Sequence, residues 1–285
     1  MWYNIILFYL KISPFEAIIR YMFDYIARAL RSFGIENYNF EARALLGHLS
    51  RGGPPSKEAA DAALGRRRRR EPLQYILGEW DFCGETYKLN RGCLIPRPET
   101  ELLAQYIMEA APHGAKLADL CCGCGCVALS VLKRRLDMSA IADDISHEAL
   151  EAARLNAKFL GVESRIEFFA GDIFKDEILP LIVNRGFLAA NPPYLSAADM
   201  EAVRREGSEV SYEPEAALFG GADGLDFYRR LAGLLAKAPR IERAAFEVGL
   251  GQAGAVCALL GEVGFEVGVI KDYSGIDRIV SASRS

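Results

Sequence analysis

Two rhythms of apolar and polar positions divide this chain. Over residues 15–70 the apolar positions recur at helical intervals. In YMFDYIARALRSFGI, Phe23, Ile26, Ala27 and Leu30 share one stripe and Gly34 supplies the stop. NFEARALLGHL is a second amphipathic segment, and SKEAADAALGRRRRR a third with Ser56 as its N-cap. Pro72 marks a boundary before WDFCGETYKLNRG, where bulky and polar residues alternate around Gly84 and predict a short hairpin. LIPRPETELL then leads into a helix.

From residue 116 the rhythm changes. Short apolar runs (KLADL, SAIADD, RIEFFAGD, FLAAN, RAAFEVG) are each followed by a turn or a longer connection. Between them lie helical segments: VALSVLKRR, SHEALEAARLNAKFLG, LDFYRRLAGLLAKA and QAGAVCALLGEVG. Ser146 is the N-cap of the second of these and Gly161 its stop. FEVGVI and DRIVSAS close the chain as two strands joined by KDYSGI. Strand–helix alternation predicts an α/β fold, a mostly parallel sheet with helices on both faces, preceded by a small helical domain. The closing pair predicts an antiparallel edge.

Charge sharpens this division. Residues 22–75 carry ten Lys or Arg against six Asp or Glu, a net charge of +4, while residues 76–285 carry 22 against 31, a net charge of −9. Five of the ten cations are the run at residues 66–70. One reading is a solvated helix end, where cations suit the C-terminal dipole; the other is a docking patch for RNA or an acidic protein. The opening MWYNIILFYL is apolar, but only ten residues precede Lys11, about half a membrane span. It lacks the basic region and small-residue cleavage site of a secretory leader. Residues 1–21 are therefore expected to be an extension, with Met22 an alternative start.

Four of the seven cysteines fall in LADLCCGCGCVALS, directly between the first α/β strand and its helix. Seven is odd and four are crowded, which excludes a secreted disulfide framework and points to a reduced cytoplasmic protein. Structural zinc wants paired ligands from two separated segments, and Cys83, Cys93 and Cys257 form no second pair. Small size is the better reason for these cysteines, because Cys packs as a small hydrophobe; no metal is expected. Gly123 and Gly125 permit a tight turn and a close approach of backbone to ligand. Asp143 and Asp144 end the second strand some 20 positions on, where a ribose-binding carboxylate belongs. Asp172, ending the third strand, can face a base. A nicotinamide enzyme would want such a turn too.

FLAANPPYLS decides between them. Asn191 ends an apolar strand at the ligand edge, and Pro192 keeps it out of helical backbone. The two prolines stiffen the turn and donate no N–H, leaving carbonyls free to accept, and Tyr194 adds an aromatic wall. An acceptor site for a planar NH₂ group results. NPPY with the glycine turn resembles the class I S-adenosylmethionine-dependent amino-group methyltransferases. RRREPLQYILGEWDF, LIPRPETELL, DISHEALEAARLNA, YEPEAALFGGADGLDFYRRL and DYSGIDRIV resemble the release-factor glutamine methyltransferases, the PrmC/HemK family, from about Met22 to the C-terminus.

The resemblance implies a Rossmann-like class I methyltransferase sheet, S-adenosyl-L-methionine as cofactor, and a cytoplasmic monomer. Its substrate would be the glutamine of the Gly-Gly-Gln motif of class I peptide chain release factors. It implies residues 22–75 as a helical substrate-recognition domain, 76–100 as hairpin and linker, and 101–285 as the methyltransferase domain. Asn191, Pro192, Pro193 and Tyr194 would be catalytic. Asp119, Cys121, Cys122, Gly123, Cys124, Gly125, Asp144, Asp172, Ile173 and Asn191 would bind the cofactor, with Asp144 on the ribose and Asp172 and Ile173 on adenine. Arg97, Glu99 and Thr100 would border the pocket. The family's turn is Asp-Leu-Gly-Thr-Gly-Ser-Gly; here Cys121 stands for its first glycine. The adenine-N(6) DNA methyltransferases share Asn-Pro-Pro-Tyr but require a broad basic surface, which a net-acidic chain lacks; neither DNA nor membrane binding is expected.

Overall fold

The computed structural model describes residues 13–284. The chain divides into two compact units, Met1–Gly78 and Glu79–Ser285. Of the expected extension at residues 1–21, residues 1–12 lie outside the described residues.

The first unit is helical. Helix α1 (Pro14–Ser32) starts at a capping box in which the Ser13 side chain accepts from the Glu16 N–H, with proline at its first turn. It runs unbroken through Met22, so the expected boundary at residue 21 falls inside a helix. Helices α2 (Tyr38–Leu49), α3 (Lys57–Arg68) and α4 (Leu73–Leu77) follow. Met22, Ile26, Ala27 and Leu30 of α1 are buried in a core shared with Ala42 and Leu45 of α2 and Ala60 and Leu64 of α3. Phe23, expected in that stripe, is only half-buried, and Met22 takes its place.

The arginine run is a helix end that is solvated only in part: Arg68, Arg69 and Arg70 are exposed, but Arg66 and Arg67 are drawn into ion pairs. Arg67 is 3% exposed and pairs bidentately with buried Glu41, at 2.7 and 2.9 Å. Arg66 pairs the same way with Glu71, at 2.9 and 2.7 Å, and also donates to the Tyr75 carbonyl. These guanidiniums tie α3 to α2 and to the segment entering α4.

In the second unit, β1 (Glu79–Phe82) and β2 (Glu85–Lys88) form the expected hairpin, turning at Cys83 and Gly84, both with positive φ. The main sheet holds β3 (Lys116–Leu120), β4 (Ser139–Asp144), β5 (Ile166–Ala170), β6 (Phe187–Ala190), β7 (Arg243–Glu247), β8 (Glu266–Lys271) and β9 (Asp277–Ser283). Their order is β5-β4-β3-β6-β7-β9-β8. Strands β3 to β7 pair in parallel, and β9 runs antiparallel between β7 and β8. The helices are α5 (Glu101–Ala110), α6 (Cys126–Arg134), α7 (His147–Leu160), short α8 (Leu179–Ile182), α9 (Ala197–Glu206), α10 (Asp226–Lys237) and α11 (Ala253–Glu262).

Side chains of β3 alternate between the two faces. Ala118 and Leu120 join a core with Tyr228, Leu231 and Leu235 of α10 and Val256 of α11. Asp119 turns the other way, toward the start of α6. Both faces of β3 beyond Lys116 and of β6 are buried, which is why their sequences are apolar apart from Asp119. Sequence order reverses across β3: the chain moves out to β4 and β5, then returns to β6 on the other side. Such a switch point leaves a crevice at the C-terminal ends of β3 and β6, where parallel sheets bind ligands. Among the described residues no helix is long and apolar enough to cross a membrane.

Candidate active site

The crevice is a cavity of about 370 Å³. Its floor is the turn between β3 and α6. Cys121 sits there at φ 59°, Gly123 at 56° and Gly125 at 79°, all left-handed. That backbone is held from β4: the Cys122 N–H donates to the Asp143 carbonyl (2.9 Å) and the Gly123 N–H to Asp144 Oδ2 (2.8 Å). Asp144 Oδ1 accepts from the Ser146 N–H at 2.9 Å. The carboxylate is thus fixed by two backbone donors, with lone pairs left on both oxygens. Nothing lies within 4 Å of where a Cβ on Gly123 would stand, so the turn is open toward the cavity.

Four carboxyls gather here. Asp119, 1% exposed, accepts from the Ala128 N–H in the first turn of α6 at 3.1 Å. Burial, with Asp144 nearby, still pushes it up to about 7. Burial and the charges of Asp144, Glu177 and Asp172 push Asp143 up to about 7 as well. Burial raises Asp144, against the pull of its backbone donors. Asp172, the fourth, caps its own loop by accepting from the Phe174 N–H. A cation placed among these groups would relieve both their desolvation and their mutual repulsion.

The same burial and carboxylates hold the Cys121 and Cys122 thiols well above their ordinary value, and Cys126 likewise through its bond to Cys124. They are protonated packing groups. Among the described residues no three His, Cys, Asp or Glu side chains converge in a way that could hold a metal ion.

The opposite wall is the end of β6. Asn191 donates from Nδ2 to Thr100 Oγ1 at 3.1 Å, and its Oδ1, shut off from water, has no partner. The following turn is braced from behind: Gln252 donates to the Tyr194 carbonyl at 2.9 Å, and Leu195 exchanges backbone bonds with Leu218 and Gly220. A Cβ on Gly220 would stand 2.6 Å from the Pro193 carbonyl oxygen. The mouth is closed by PRPET and YEPEAAL, which are tied together by Glu213: this buried carboxylate accepts from the Ile95 N–H (3.0 Å) and pairs with Arg97.

Of the residues the sequence singled out, Asp119, Cys121, Cys122, Gly123, Cys124, Asp144, Asp172, Ile173, Asn191 and Pro193 line this one cavity, as do Arg97 and Thr100. Gly125, Pro192, Tyr194 and Glu99 do not line it. Gly125 is the N-cap of α6. The Tyr194 ring packs against the core rather than forming the expected wall, and burial beside Glu247 pushes its hydroxyl up to about 12. Reading the sequence missed Phe174, Phe219 and Phe227 as lining residues, and also Pro214 to Ala217. It missed α9 too, although Ser196 and Asp199 form a capping box legible in SAADMEAV.

Residues 98–205 match the methyltransferase small domain family. The release factor glutamine methyltransferase of Geobacter sulfurreducens is 35% identical over 283 residues, spanning 92% of this chain and 95% of that one. That of Cereibacter sphaeroides is 38% identical over 268 residues, covering 89% and 94%. This chain belongs to the release factor glutamine methyltransferase family. The sheet also matches the hMettl16 catalytic domain, solved in complex with MAT2A 3'UTR hairpin 1. There the TM-score is 0.59 at 13% identity, over 92% of this chain and 91% of that one, a likeness of fold. Within the family frame, Cys121 at φ 59° occupies the left-handed backbone that a glycine adopts without strain.

Proposed function

We propose that this chain methylates the amide nitrogen of the glutamine in the Gly-Gly-Gln motif of class I release factors, using S-adenosyl-L-methionine. The observation that carries this reading is Asn191, a residue of the cavity wall whose side-chain Oδ1 is left without a hydrogen-bond partner. Such an atom costs about 1–3 kcal/mol while unpaired, and an incoming NH₂ group recovers it. The cavity suits a cationic cofactor: a largely apolar lining, four carboxyls, and an open glycine turn beneath them. Asp144, oriented by two backbone donors, would hold the ribose hydroxyls; Asp172 and Ile173 would border adenine. When bound, the cofactor supplies an electrophilic methyl group on a sulfonium.

This chain's own residues do the rest. An amide nitrogen is a poor nucleophile because its lone pair is delocalised, so alignment carries much of the rate. Asn191 Oδ1 would accept an N–H of the substrate amide and stabilise positive charge as it develops on nitrogen. Pro192 and Pro193 stiffen the turn that follows Asn191 at no further cost in backbone entropy. The helical unit is the proposed recognition module for the release factor.

The test is transfer of labelled methyl to purified release factor, beside a Gly-Gly-Gln to Gly-Gly-Ala factor and a DNA duplex. Label on the unmodified factor alone is the expected result; label on DNA, or on the Gly-Gly-Ala factor, overturns the reading. Asn191→Ala is expected to abolish turnover while cofactor binding survives in part.

A further inference from the structure

Two apolar side chains stand in the open along the sheet edge that carries Asn191. Tyr273 is 98% exposed and Leu250 79%, the two most exposed of the large apolar side chains among the described residues. Neither lines the cavity. Strand register places both at the ligand edge. Ala190 of β6 pairs with Phe246 of β7, Phe246 with Val280 of β9, and Val280 with Val269 of β8. Because β9 runs antiparallel to both its neighbours, β8 points the same way as β6 and β7. Asn191 follows this row by one residue, and Leu250 and Tyr273 each follow it by four.

Built turns hold both side chains outward. The Gln252 N–H donates to the Gly249 carbonyl (3.1 Å) and the Gly249 N–H to Gln252 Oε1 (2.9 Å), so Leu250 is the corner of a closed turn that Gly251 completes at φ 79°. That turn abuts the Asn-Pro-Pro-Tyr segment: a Cβ on Gly249 would stand 3.0 Å from Tyr194 Cδ2. Tyr273 tips the β8–β9 hairpin, which the bond from the Val248 N–H to the Arg278 carbonyl (2.8 Å) ties to the end of β7. Within the hairpin, the Asp272 carboxylate accepts from the Ser274 and Ile276 N–H groups (2.8 and 3.0 Å) and from Arg278 Nε (3.0 Å). Lys271 pairs with Asp277 at 2.6 Å. The charged side chains of the hairpin thus pair with one another, and its tip offers an aromatic ring.

Side chains presented on rigid turns lose little freedom on binding, which favours them as interface anchors. We propose that Leu250 and Tyr273 form an apolar shelf that docks the stretch of release factor flanking its Gly-Gly-Gln motif. The inference rests on the reading of the release factor as substrate and of Asn191 as the place its glutamine reaches. Continuity with that site names the occupant: a glutamine delivered to Asn191 leaves its own chain lying across the rim, and on the β7 side the rim is this shelf. From β6 to β8 is three strand spacings, about 14 Å at about 4.8 Å each. Extended chain covers about 3.3 Å per residue, so the residue resting on Leu250 lies about two positions from the glutamine and the one on Tyr273 about four to six.

The experiment gives the full chain intact, unmethylated release factor and labelled cofactor, and compares wild type with Leu250→Ala, Tyr273→Ala and Leu136→Ala. Leu136 is 78% exposed but sits in the turn entering β4, at the opposite edge of the sheet, and so controls for loss of any exposed apolar group. Leu250→Ala and Tyr273→Ala are each expected to raise KM for release factor about fivefold to thirtyfold. Their kcat should stay within about twofold and their dissociation constant for cofactor should not move, the pattern of lost uniform binding. The rise in KM should persist in about 0.5 M salt, since an apolar contact is not screened. Leu136→Ala should change none of these. A photoreactive phenylalanine analogue placed at Tyr273 should cross-link to release factor within about ten residues of the methylated glutamine. Wild-type KM in both shelf variants, or a cross-link outside that stretch, overturns the proposal. So does an altered oligomeric state on gel filtration with KM unchanged, which assigns the shelf to a second copy of this chain. A wild-type enzyme that puts no label on release factor shows instead that the reading of the substrate has failed.

Discussion

Asp119→Asn is expected to help the ligand-free protein in alkali far more than in acid. The carboxyl sits at the end of β3, 1% exposed, with one backbone donor and a position of about 7 against an ordinary 3.8. A raised carboxyl favours the fold while both states are protonated. That contribution is whole below about pH 4 and is lost as pH climbs through 7, because the unfolded chain ionises first. Between pH 5 and 8.5 about two pH units of this loss remain, or about 2.7 kcal/mol at about 1.36 kcal/mol per unit. Asparagine keeps the oxygen that accepts from Ala128 and removes the titration; its NH₂ group, if unpaired, costs about 1–3 kcal/mol at every pH. The stability difference between variant and wild type should therefore swing by about 2–3 kcal/mol in the variant's favour from pH 5 to 8.5. Urea denaturation of both ligand-free proteins at the two pH values measures it. Asp143 and Glu247 also titrate near 7, but they do so in both proteins and cancel. A difference that is the same at both pH values, within about 0.5 kcal/mol, refutes the reasoning. Since Asp119 lines the cavity, the same substitution should weaken cofactor binding.

Three further outcomes can be checked. At Cys121, left-handed backbone costs an L-residue about 1–2 kcal/mol, so Cys121→Gly should leave stability within about 1 kcal/mol while β-branched Cys121→Val loses more than about 2; the reverse order in thermal melts would show the position is unconstrained. Gly220→Ala places a Cβ 2.6 Å from the Pro193 carbonyl oxygen, and the turn must move; kcat should fall at least about tenfold while calorimetry finds cofactor affinity retained. In the helical unit, Glu41→Ala strands the buried guanidinium of Arg67 and should cost about 3–5 kcal/mol in a denaturant titration, whereas Glu41→Leu with Arg67→Met should recover most of it.

Much of this protein was legible in one dimension. Strand–helix alternation carries the parallel sheet because a strand buried on both faces is mostly apolar, as FLAA is throughout and LADL is apart from Asp119. Caps such as Ser56 and Ser146 were readable because a cap acts on backbone three residues away. The glycine turn and Asn191-Pro192-Pro193 were readable because a ligand-facing turn needs particular backbone freedoms at consecutive positions. Composition could not say what the arginine run does: whether a guanidinium is solvated or paired depends on Glu41, 26 residues away in sequence, which α2 brings alongside Arg67. Nor could it separate Asn191, which lines the cavity, from Tyr194, which packs against the core, since neighbours beyond a strand end go where packing sends them. Glu247 was hidden for the same reason. In RAAFEVG it reads as an ordinary strand end, and only the pairing of β6 with β7 buries it beside the end of β6. Local rules of backbone and period act over a few residues and are written in the sequence. Burial, pairing and the direction of a hydrogen bond belong to groups that meet only when the chain has folded.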